Sequence, residues 1–62
     1  MNYLKLHKHY AKTQSDLESE LLSKLISGEV KTGDQEYKRL CLEIENAASL
    51  ASQYADRYDS NN

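Results

Sequence analysis

The sequence predicts an all-α fold, an antiparallel two-helix hairpin. Three observations carry that prediction. No proline and only two glycines in 62 residues leave too few turn residues for an all-β chain. Apolar residues recur at helical spacing over residues 2–27 and again over 33–59. Between these stretches stands Gly28-Glu29-Val30-Lys31-Thr32-Gly33, which holds both glycines. A short link of this kind makes antiparallel neighbours. Residues 1–62 therefore read as one helical-hairpin domain, with a helix at about 2–27, a loop at 28–32 and a helix at about 33–59.

The first helix carries two apolar stripes. Tyr3, Leu6, Tyr10, Leu17, Leu21 and Leu25 lie along one; Leu4, Ala11, Leu22 and Ile26 lie along another, about 100° round. Gly28 follows the last periodic residues, Leu25 and Ile26, where a left-handed cap is needed. Ser15-Asp16-Leu17-Glu18 spells a capping box. It offers a break near Thr13 and hence three helices, and residues 3–10 also tolerate a short strand. The first stripe stays on one face straight through the supposed break, which favours one continuous helix.

The second helix opens on Thr32-Gly33-Asp34-Gln35, read as a capping box with Thr32 as N-cap and Gln35 as its partner. Asp34 and Glu36 then fall in the first turn, where the helix dipole favours acid. Tyr37, Cys41, Ile44, Ala48, Ala51, Ala55 and Tyr58 recur at alternating spacings of four and three, a heptad seam. Together with the first stripe of helix one, they form the predicted hairpin or dimer seam. Leu40, Ala47 and Tyr54 flank it, with Leu50 just beyond, while Leu42 falls outside the apolar arc. The closing residues Asp59-Ser60-Asn61-Asn62 are expected to fray.

One hairpin can bury only one stripe per helix. Leu4, Ala11, Leu22 and Ile26, with Leu40, Ala47, Leu50 and Tyr54, are left over, and we read these eight as partner-binding. A scaffold this small, without disulfide or metal, completes its core by association. The expectation is a homodimeric four-helix bundle or a complex with a second helical protein.

The residues offer little chemistry. One cysteine excludes an internal disulfide and any multi-cysteine zinc site. His7 and His9 point about 200° apart on a helix and cannot share a metal. Cys41, on the seam, reads as a small buried hydrophobe with no base beside it, and a single thiol suits a reducing, cytoplasmic setting. Asp16, Glu18 and Glu20 read as a solvated face. No glycine-rich phosphate loop, nucleophile elbow or metal box is present. We therefore expect no enzyme, no cofactor, no metal and no catalytic residue. No apolar run approaches about 18 residues, and no charged segment leads into an apolar one, so neither a membrane span nor a signal peptide is read. Lys5, Lys8 and Lys12, interleaved with Tyr3 and Tyr10, form an acid-free segment. It supports an alternative: a homodimeric helical-bundle regulator holding nucleic acid weakly. The net charge of −2 and the lack of arginine there disfavour nucleic acid as a partner. Every aromatic residue is a tyrosine, five in all. Such rings suit surfaces wet in one state and buried in another, and Tyr54 and Tyr58 read as contact residues.

The opening of the second helix supplies a resemblance. A glycine-containing turn, then Glu36-Tyr37-Lys38-Arg39-Leu40, then an Ala/Leu-rich helix, resembles the small co-chaperones of type III secretion needle subunits. Tyr37 and Leu40 match that family's opening, and Glu36 stands where glutamine is usual. The resemblance spans roughly residues 17–55. The turn is longer than the family's, and residues 1–12 match none of it. Needle subunits themselves are hairpins with a proline in the turn, which this chain lacks. The resemblance implies a non-enzymatic adaptor. It would bind a larger helical-repeat chaperone and help keep a secreted subunit unpolymerised in the cytoplasm.

Overall fold

The computed structural model describes residues 2–60, Ser60 by its backbone alone. Two helices, α1 (Tyr3–Ser27) and α2 (Gln35–Ser60), pack against each other in a rod of 45 × 15 × 13 Å. No strand occurs among the described residues. Helix α2 remains helical through Asp59 and Ser60; Asn61 and Asn62, expected to fray with them, lie outside the described residues.

Helix α1 is continuous. Asn2 caps it, its side-chain oxygen accepting from the Lys5 N–H at 3.0 Å. At the suspected break, the Thr13 hydroxyl donates back to the His9 carbonyl at 3.0 Å and the Gln14 amide donates to Glu18 at 2.9 Å. The second bond engages the Glu18 carboxylate that a capping box at Ser15 would have used. The helix ends where Gly28 turns left-handed, φ 82°, and gives its N–H to the Leu25 carbonyl. The Val30 N–H then reaches back to the Lys24 carbonyl at 3.3 Å, which folds Val30 under the helix end.

Helix α2 starts differently from expectation. Lys31–Asp34 form a turn in which the Asp34 N–H donates to the Lys31 carbonyl and the Asp34 carboxylate accepts the Lys31 N–H, both at 2.9 Å. The Asp34 carbonyl accepts the first helical bond, from Lys38. Asp34, not Thr32, is therefore the N-cap, and Gln35 is the first helical residue rather than the third. The reciprocal Asp34–Lys31 pair satisfies both the turn and the carboxylate, and so displaces the capping box.

The core differs more. Val30, Leu40, Ala47 and Ala51 are the buried apolar residues, and none of α1 is fully buried. Of the predicted α2 seam only Ala51 is buried. Tyr37, Cys41, Ile44, Ala48 and Ala55 are half-buried, and Tyr58 is exposed. The seam is turned toward Leu40, Ile44, Ala47, Ala51 and Tyr54, which also recur at alternating spacings of four and three. Burying Leu40 and Tyr54 removes more apolar surface from water than burying Cys41 and Ala55 would, and the hydrophobic term scales with that area. In α1 the predicted seam residues Tyr3, Leu6, Tyr10, Leu17, Leu21 and Leu25 are half-buried against it.

Candidate functional site

Three groups of contacts set how the helices lie. At the open end, Tyr54 of α2 stacks against Tyr10 (centroids 5.7 Å apart, planes 9° apart) and Tyr3 (6.2 Å, 22°) of α1, and the Arg57 guanidinium sits 5.4 Å from the Tyr54 ring centre. Near the same end, His7 places Nδ1 2.8 Å from the Ala51 carbonyl oxygen. That oxygen can only accept, so Nδ1 carries the proton. At the loop end, Lys24 pairs with Glu36 across the turn at 3.0 Å. Glu20 and Arg39–Glu43 extend this into a surface chain. The Glu36 carboxylate, hydrogen-bonded to the Lys24 ammonium, holds that ammonium above its ordinary pKa. The Cys41 thiol likewise raises the Tyr37 hydroxyl, chiefly by hydrogen bonding.

Those contacts fix the register. With His7 level with Ala51 and Lys24 level with Glu36, Leu4 lies level with Ala55, Ala11 with Ala48, and Leu22 with Tyr37. One broad side of the hairpin carries a groove lined by Tyr10, Thr13, Leu17, Glu43, Asn46, Ala47 and Leu50. On the helical wheels, Leu4, Ala11, Leu22 and Ile26 lie across the seam from Thr13. Cys41, Ala48 and Ala55 lie across it from Asn46. The two stripes therefore share the opposite broad side.

That side is the candidate site. It is apolar and unpaired within the chain: Leu22 is 59% exposed and Ile26 78%, with Leu4 at 37%. Ala11 is half-buried. The other predicted partner residues lie elsewhere. Leu40 and Ala47 belong to the hairpin core, Tyr54 is clasped by Tyr3 and Tyr10, and Leu50 lines the groove on the far side. Cys41, Ala48 and Ala55, expected inside, edge the exposed face instead. Leu42 is 58% exposed and belongs to neither face.

Two structural residues escaped the sequence reading. Val30 sits in a loop without periodicity, and its only signal is being the one large apolar residue between the glycines. His7 has no sequence signal for its interhelical bond. Lys5, Lys8 and Lys12 are exposed along the outer edge of α1. Among the described residues no group of three or more His, Cys, Asp or Glu is placed to hold a metal ion. No described helix is long and apolar enough to cross a membrane. Searches of protein-family models, curated proteins and solved structures find nothing that matches this chain.

Proposed function

We propose that this chain is a non-enzymatic helical-hairpin adaptor that works by docking its exposed apolar side on another helical surface. The observation that carries this reading is that Leu4, Leu22 and Ile26 stay exposed, beside half-buried Ala11, Ala48 and Cys41, while the hairpin closes on the opposite edge of α2. Large apolar residues so exposed mark an interaction site rather than ordinary surface, and an amphipathic helix pair offers them in the geometry of groove recognition. With the resemblance of residues 17–55 to needle-subunit co-chaperones, the adaptor acts in the cytoplasm. There it joins a larger helical chaperone in holding a secreted, self-assembling helical subunit apart.

Charged substitutions on the face test the reading. Leu22→Glu with Ile26→Glu should abolish association, with itself or with a helical partner, while leaving the helical circular dichroism of the hairpin in place. A chain that melts cooperatively at one temperature over a hundredfold range of concentration, with or without the two substitutions, would need no partner, and the reading would fall.

A further inference from the structure

We draw no further inference here: the strongest candidate, the apolar side of the hairpin where Leu4, Leu22 and Ile26 stand exposed beside Ala48 and Cys41, belongs to the site already described, and nothing in the structure shows what covers it.

Discussion

Leu40, Cys41 and Leu42 are three consecutive residues at three depths, and truncating each in turn tests which edge of α2 faces α1. Leu40 is 1% exposed, Cys41 is half-buried and Leu42 is 58% exposed. Leu40→Ala removes three carbons from a fully buried site. At about 0.8 kcal/mol per buried methylene the transfer loss alone is roughly 2.4 kcal/mol. Measured Leu→Ala losses in cores run from about 2 to 5 kcal/mol, the excess growing with the cavity left. A two-layer hairpin can partly collapse around the void, so the expected loss is about 2.5–3 kcal/mol. Cys41→Ala removes one half-buried sulfur and should cost under about 1 kcal/mol, and Leu42→Ala should be neutral within about 0.5 kcal/mol. The assay is urea unfolding followed by helical circular dichroism, at one protein concentration because association contributes to apparent stability. If Cys41→Ala destabilises as much as Leu40→Ala, the seam runs through Tyr37, Cys41, Ala48 and Ala55, and the packing argument is wrong.

Three further outcomes follow from the same structure. Gly28→Ala forces a side chain into a left-handed backbone and should destabilise by about 1 kcal/mol, whereas Gly33→Ala, with open space and no positive φ, should be neutral or slightly stabilising in the same urea titration. Tyr54→Leu keeps an apolar side chain but loses two ring stacks and the Arg57 contact, an expected loss of roughly 1–2 kcal/mol. Tyr58→Leu, outside the stack, should change stability by no more than about 0.5 kcal/mol, and an equal effect of the two would refute the clasp. The Lys24 ammonium is held above its ordinary value of 10.5 by Glu36. Its contribution is therefore full below that value and lost as pH rises through the raised one, so Glu36→Gln should flatten the alkaline edge of a stability–pH curve.

Much of the fold was legible because it depends on local signals. Gly28 marks the end of α1 since only glycine adopts φ 82° without strain, and the uninterrupted stripe from Tyr3 to Leu25 outweighs the capping box at Ser15. The start of α2 was misread by two residues because the competing bond, Asp34 to the Lys31 N–H, depends on a turn that no spacing rule describes. The candidate site was half legible. Leu4, Leu22 and Ile26 are open as expected, since α1 has two stripes and the hairpin fills one. On α2 the expected faces changed places, because an apolar arc half a circumference wide contains two seams of equal periodicity.

Residue order and spacing were enough to establish two amphipathic helices, the end of the first at Gly28, and more apolar surface than one hairpin covers. Those properties reside in residue order, spacing and composition. Which edge of α2 turns inward was decided only by the tertiary structure, since it depends on the bulk that α1 presents. Tyr3 and Tyr10 enclose Tyr54, Leu40 fills the interface more fully than Cys41, and His7 reaches the Ala51 carbonyl. A heptad pattern gives the spacing of a seam; the complementary volume across the interface selects which of two such seams is buried.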